Sequence, residues 1–171
     1  MQTRGCQMKK LGMLVMALLL LGCADKNQDI SLKEPTAENI ILKIQEKLIE
    51  TDKKTYKLLD LKSESDMEFF SYAKNFNQDY IKAGYALEPE DANFSAELII
   101  VLEMTEPEVE NQVIQMMDKV TSDQTIKWAD YIESQKQLVK TNQIKRQDSF
   151  VLYVTSKEAN DIVKLFQKQV R

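Results

Sequence analysis

Residues 96–104 read Ala96-Glu97-Leu98-Ile99-Ile100-Val101-Leu102-Glu103-Met104. Five apolar residues stand in a row from Leu98 to Leu102, and β-branched side chains are prominent among them. The run is too short for a buried helix and does not alternate as a half-exposed strand would. It predicts a central strand buried on both faces, or on most of both. Phe150-Val151-Leu152-Tyr153-Val154 repeats the pattern and predicts a second buried strand. The rest of the fold must supply these two strands with neighbours and cover.

Downstream of Met104, Thr105-x-x-Glu108 has the form of a capping box, with Pro107 tolerated in the first turn. A helix carrying Val109, Val113, Met116, Met117 and Val120 is expected, with a kink or restart near 122 where Thr121-x-x-Gln124 offers another cap. Trp128, Tyr131 and Ile132 continue the apolar stripe, and the polar stretch 133–141 is left unassigned. Gln143 to Arg146 pairs with the 150–154 strand as a hairpin around Gln147-Asp148-Ser149. Thr155-x-x-Glu158 then predicts a cap for a last helix with Ile162, Val163, Leu165, Phe166 and Val170 inward.

Upstream, 79–87 reads as a strand with Gly84 as a bulge, and Pro89 and Asn93 mark a turn. Residues 56–61 are ambiguous between a strand and a helix end. Ser65-x-x-Glu68 predicts a short helix with Phe69, Phe70 and Ala73. Pro35 and Thr36 open a helix over 36–52, with Ile40, Ile41, Ile44, Leu48 and Ile49 on one face. The order is strand-strand-helix twice, after an N-terminal helix. It predicts an α+β two-layer sandwich: an antiparallel sheet of about four strands with helices on one face. The expected organisation is a signal segment over 1–22, an anchor and tether over 23–35, and one globular domain over 36–171.

Composition narrows the chemistry. The 171 residues include 23 Lys and Arg, 27 Asp and Glu, two Cys, four Gly and no His. Without His there is no Ser-His or Cys-His nucleophile pair and no imidazole metal ligand. After Gly22 the only glycine is Gly84, so the Gly-rich loops that bring backbone N–H groups onto phosphates are absent. The expectation is no enzyme, no cofactor and no metal.

Arg4, Lys9 and Lys10 precede an almost unbroken apolar run, Leu11 to Leu21. Such a run is too short to span a membrane as a helix and reads as a secretory signal, with Met8 a second possible start. Leu20-Leu21-Gly22-Cys23 resembles the lipobox of bacterial lipoproteins. That resemblance implies a diacylglyceryl group, palmitate-like in its acyl chains, on Cys23, and cleavage that makes Cys23 the first mature residue. Two acyl chains hold a protein stably where one does not. Cys6 would leave with the signal, so no disulfide is expected. Residues 24–35 then form a tether of about 20 Å reach.

Losing Arg4, Lys9 and Lys10 leaves 20 basic against 27 acidic residues, a formal charge of −7. That acidity argues against nucleic acid, which needs Lys/Arg patches. The expected membrane contact is the lipid on Cys23 at the extracytoplasmic face, with an envelope protein as the possible partner.

From about Met67 to Phe166 the chain resembles a lipoprotein family of low-GC Gram-positive bacteria, the domain of unknown function numbered 4358. The matching residues are Phe70, Asn75-Phe76-Asn77, Asp79-Tyr80, Ala96-Glu97-Leu98-Ile99-Ile100, Gln112 to Tyr131, and Phe150 to Val154. They are core patterns and carry no catalytic signature. The family's usual Gly in the final hairpin turn is replaced here by Asp148 and Ser149. The resemblance implies a location and a fold, and no activity.

Five residues stand out as candidates for interaction. Glu97 could bind a cation or a partner, or simply face solvent or cap a backbone group at the strand edge. Trp128 and Tyr131, three apart on a helix, could stack on a sugar or grip a peptide, or pack in the core. Lys145 and Arg146, with Lys140, form a small basic cluster that could recognise an anionic polymer or protect a sheet edge. Glu88, Glu90 and Asp91 lack the spacing and the Gly of a calcium loop and read as a solvated acidic turn. The leading expectation is a non-enzymatic interaction or accessory module. The alternatives are a small-ligand or solute binder, disfavoured by chain length, and a carboxylate-based envelope hydrolase.

Overall fold

The computed structural model describes residues 34–52 and 54–171. The expected signal segment, Cys23 and the expected tether as far as Lys33 lie outside the described residues. The elements are α1 (Ala37–Asp52), β1 (Tyr56–Asp60), α2 (Glu64–Phe69), β2 (Ile81–Pro89), β3 (Leu98–Met104), α3 (Glu110–Trp128), α4 (Glu133–Lys140), β4 (Gln143–Gln147), β5 (Phe150–Thr155) and α5 (Ala159–Gln169). Short 3-10 turns occupy 73–75, 78–80 and 107–109.

The fold is α+β, as expected, but the sheet has five strands rather than about four. Their order is β1-β2-β3-β5-β4, and every neighbouring pair is antiparallel. The extra strand is the ambiguous 56–61 segment, which pairs with β2 from Tyr56↔Pro89 to Asp60↔Tyr85.

Two layers become three. Every residue of β3 is buried. Leu98, Ile100 and Leu102 pack with Phe70, Tyr72, Val113, Met117 and Val120 on one face. Ile99 and Val101 pack with Ile40, Ile41, Ile44 and Leu48 of α1 and Ile162 and Phe166 of α5 on the other. A strand apolar on both faces has to be covered on both, so helices on one face could not satisfy it. At about 1.5–3 kcal/mol per large apolar side chain, each face contributes substantially to stability.

Several local expectations shift for identifiable reasons. Thr36 does cap α1, accepting from the Asn39 N–H at 3.2 Å, but Ile49 is half exposed and off the buried stripe. The cap of α2 is Ser63, not Ser65: Ser63 Oγ accepts from Asp66 N–H, while the Asp66 carboxylate takes the Asp60 N–H at 2.8 Å. Thr105 does not cap α3, since its hydroxyl donates to the Asp79 carbonyl. α3 runs unbroken through 122, because Thr121 and Thr125 return their hydroxyls to carbonyls one turn back without breaking the ladder. The polar 133–141 stretch forms α4. Thr155 does not cap α5, since its hydroxyl is committed to the core.

Gly84 is not the bulge. The register of β2 shifts between Ile81 and Ala83, and Gly84 allows close approach instead. A Cβ there would lie 2.7 Å from Leu102 Cδ2 and 3.3 Å from Ile81 Cγ2.

Candidate functional site

Glu97 is buried, against the expectation of a carboxylate facing solvent. It precedes β3 on the face covered by α1, and its Oε2 accepts from Lys54 Nζ at 2.7 Å and from the Tyr56 hydroxyl at 3.1 Å. Tyr56 opens β1, and β2 lies between β1 and β3, so the side chains bridge a strand neither belongs to. Oε1 of the same carboxylate is buried without a hydrogen-bond partner. The ion pair satisfies a charge that otherwise could not be buried. Its work is to tie the loop after α1 to the centre of the sheet.

Trp128 and Tyr131 touch but do not form a platform. Their ring centroids are 5.7 Å apart with planes inclined at 53°. Trp128 is buried beside Ala96 and Val139, so its faces are closed to a sugar, whereas Tyr131 is exposed. Lys145 and Arg146 do not form one cluster. Successive strand residues point to opposite faces. Arg146 reaches Glu110 of α3 at 3.3 Å, while Lys145 stands opposite Leu152, whose side chain packs on the α1/α5 face.

Beneath α3 the sequence hid a polar core. Gln124 falls on the inward spacing of Val113, Met117, Val120 and Trp128 and is fully buried. Its Nε2 donates to the Ala96 carbonyl at 2.9 Å. Its Oε1 accepts from the Tyr153 hydroxyl at 2.7 Å and the Thr155 hydroxyl at 2.9 Å. Burial pushes the Tyr153 phenol above its ordinary pKa, and its hydrogen bonds with Thr155, Thr121 and Asn142 oppose the rise. The one available signal was a polar residue at a core position of the helix.

The α3 face also carries the surface with most chemical potential. Glu88, expected in a solvated turn, lies on β2 and is only partly exposed. Burial pushes its carboxyl above the ordinary glutamate value, and the nearby Lys127 and Lys57 ammonium groups pull it back in part. Among the described residues it makes no hydrogen bond and no direct ion pair. Lys57, its cross-strand partner, sits 5.1 Å over the Phe69 ring. Lys127 donates to the Ala92 carbonyl at 3.3 Å. Beside them a groove of about 310 Å³ is lined by Ser71, Tyr72, Lys74, Asp123, Ile126 and Lys127. Ile126 is 73 % exposed, Phe69 is 70 % exposed and Phe94 is 63 % exposed. Large apolar side chains left in water next to a groove and a desolvated carboxylate mark a contact surface.

Among the described residues, no group of three or more acidic or Cys side chains is placed to hold a metal ion. No described helix is long and apolar enough to cross a membrane.

Fold and site together define a three-layer α+β domain that combines internal polar ties with exposed apolar side chains beside a groove lined mostly by polar residues. A family model described as a domain of unknown function, DUF4358, matches residues 54–156, and the chain belongs to that family. The match takes in all five strands and α2 to α4, while α1 and α5 lie outside it. No curated protein and no solved structure matches the chain.

Proposed function

We propose that the chain is an extracytoplasmic lipoprotein, held at the cell membrane by lipid on Cys23, whose domain is a non-enzymatic interaction module for an envelope protein. The lipobox-like Leu20-Leu21-Gly22-Cys23 supports the anchor. The observation that carries the interaction reading is the apolar rim of Phe69 and Ile126 beside the α3 groove. Exposed side chains of that size weaken solubility and are worth keeping where a partner covers them.

Two measurements test this reading. Cys23→Ser should leave the chain unprocessed and release it from the membrane fraction; firm retention with unchanged processing overturns the anchor. Crosslinking in intact cells, followed by purification, should bring along one envelope protein. That protein should be lost when Phe69→Glu and Ile126→Glu are introduced without loss of fold. A chain that crosslinks to nothing, or a partner indifferent to both substitutions, overturns the interaction surface.

A further inference from the structure

The sheet ends on β4, and the outer edge of that strand is open. On its inner side β4 pairs with β5, from Gln143↔Val154 to Gln147↔Phe150. The Met104 N–H donates to the Ser149 carbonyl at 2.8 Å, so the backbone groups of Ser149, and two by two those of Val151, Tyr153 and Thr155, face β3. Phe150, Leu152 and Val154 then bond to Gln147, Lys145 and Gln143, because successive residues of a strand send their backbone groups to alternate sides. The N–H and C=O of Ile144 and Arg146 are left pointing away from the sheet. Among the described residues none of these four groups has a hydrogen-bond partner. The opposite edge is built differently. On β1 the Tyr56 carbonyl accepts from the Gln45 side chain at 3.1 Å, and the Asp60 N–H donates to the Asp66 carboxylate at 2.8 Å. The Asp60 carbonyl accepts from the Ser63 N–H at 3.0 Å. The chain thus caps one edge itself and leaves the other as a template for a further strand.

The charge beside the open edge is positive, in a chain of net charge −4. Gln143 Nε2 donates to Asn160 Oδ1 at 2.9 Å, and Gln147 Nε2 donates to the Gln167 carbonyl at 3.3 Å, so this face of β4 runs along α5. Lys145 lies between the two glutamines on the same face, and Lys164 falls between Asn160 and Gln167 on one stripe of α5. Lys145 makes no ion pair among the described residues. Lys164 pairs with Asp161 at 3.1 Å, but both side chains are exposed and such a pair is worth little. On the other face Arg146 is tied to Glu110 at 3.3 Å, and Ile144 is packed partly buried against the core beneath α3. We propose that β4 takes an extended segment of a partner protein as a sixth, antiparallel strand, with an acidic residue opposite Lys145 on the α5 side and an apolar residue opposite Ile144. Backbone bonds to Ile144 and Arg146 supply the pairing, and alternate side chains supply the selection. A lysine also guards a sheet edge against indiscriminate pairing, and here the guard discriminates by sign. A second copy is a poor occupant for that reason: the two-fold register that bonds Ile144 to Arg146 across the edge sets Lys145 against Lys145. The proposal is independent of the anchor on Cys23 and of the Phe69 rim.

The full chain, isotope-labelled at nitrogen, is titrated by NMR with the end-capped peptide Thr-Val-Glu-Ile-Thr. Paired antiparallel, this peptide sets its Glu opposite Lys145 and its Ile opposite Ile144. Two control peptides leave the protein unchanged: one carries Lys in place of Glu, and one is N-methylated at Val and Ile, the two residues whose amides face β4. The expected result with the Glu peptide is a saturable downfield shift and slowed exchange of the Ile144 and Arg146 amides. A Kd on the order of 0.1–1 mM is expected for a segment this short. The Lys peptide should bind at least about fivefold more weakly, and the methylated peptide should not bind. Lys145→Glu with Lys164→Glu should reverse the preference between the two charged peptides, with the fold of the variant checked by circular dichroism. No saturable shift up to about 10 mM, shifts that survive N-methylation, or equal binding of the Glu and Lys peptides overturns the proposal. Shifts at Ile144 and Arg146 that grow with protein concentration alone assign the edge to a second copy and overturn it as well.

Discussion

Glu88 carries its charge where charge is disfavoured, with burial raising its pKa above the ordinary glutamate value. The protonated form is therefore favoured in the folded state relative to the unfolded chain. The folded state suffers no penalty below the unfolded value, and loses stability as pH rises from there through the folded value. Glu88→Gln, which keeps the shape and removes the charge, should raise the urea midpoint at pH 7 and leave it nearly unchanged near pH 3.5. Equal midpoints for variant and wild type at pH 7 would remove the desolvation argument. Gln124 works in the opposite sense. Gln124→Leu would strip partners from the Ala96 carbonyl and the Tyr153 and Thr155 hydroxyls at once. A loss of about 2–4 kcal/mol in equilibrium unfolding is expected, and a loss below about 0.5 kcal/mol would mean that water replaces the amide. Of these residues the sequence singled out Glu97 and read Gln124 only as a cap. A carboxylate's partner 43 positions away leaves no trace in local spacing.

At the scale of elements, the closing hairpin shows how a local rule can be broken and still be followed in outline. β4 and β5 are joined by Asp148 and Ser149, and Asp148 has φ of 51°, in the left-handed region where a glycine would be at ease. A side chain there costs up to about 1–2 kcal/mol, less for Asp than for most residues. Asp148→Gly should therefore stabilise the domain by a few tenths to about 1 kcal/mol, read as a rise in thermal midpoint. A fall would place the strain elsewhere. The elements themselves were largely legible: α1, β2, β3, β5 and α5 follow the expected apolar periods. The caps were not, because a hydroxyl takes the best acceptor or donor the tertiary structure offers. Thr155 had Gln124 within reach, Thr105 had the Asp79 carbonyl, and Asp66 made Ser63 the better start for α2.

At the scale of the whole molecule, α1 and α5 form the third layer that the two-layer reading lacked. Phe166 is fully buried in that layer, in the cluster that includes Leu152 and Val154 of β5. Phe166→Ala should cost about 3–5 kcal/mol by chemical denaturation. A cost under about 1 kcal/mol would show that α5 is not an integral layer. The sequence by itself determined that β3 and β5 are core strands and that no His-based or phosphate-loop chemistry is available. Each of these depends only on residue type or on the period of the backbone. The tertiary structure alone decided that β1 joins β2, that α1 and α5 share a face, that Lys54 pairs with Glu97 while Tyr56 donates to it, that Lys145 and Arg146 part to opposite faces, and that Trp128 is buried beside Ala96 and Val139 instead of offering a platform. Periodicity says that a face is apolar. Which surface covers it is settled by contacts between segments far apart in the chain, where shape and the satisfaction of buried polar groups select among pairings that local sequence leaves equivalent.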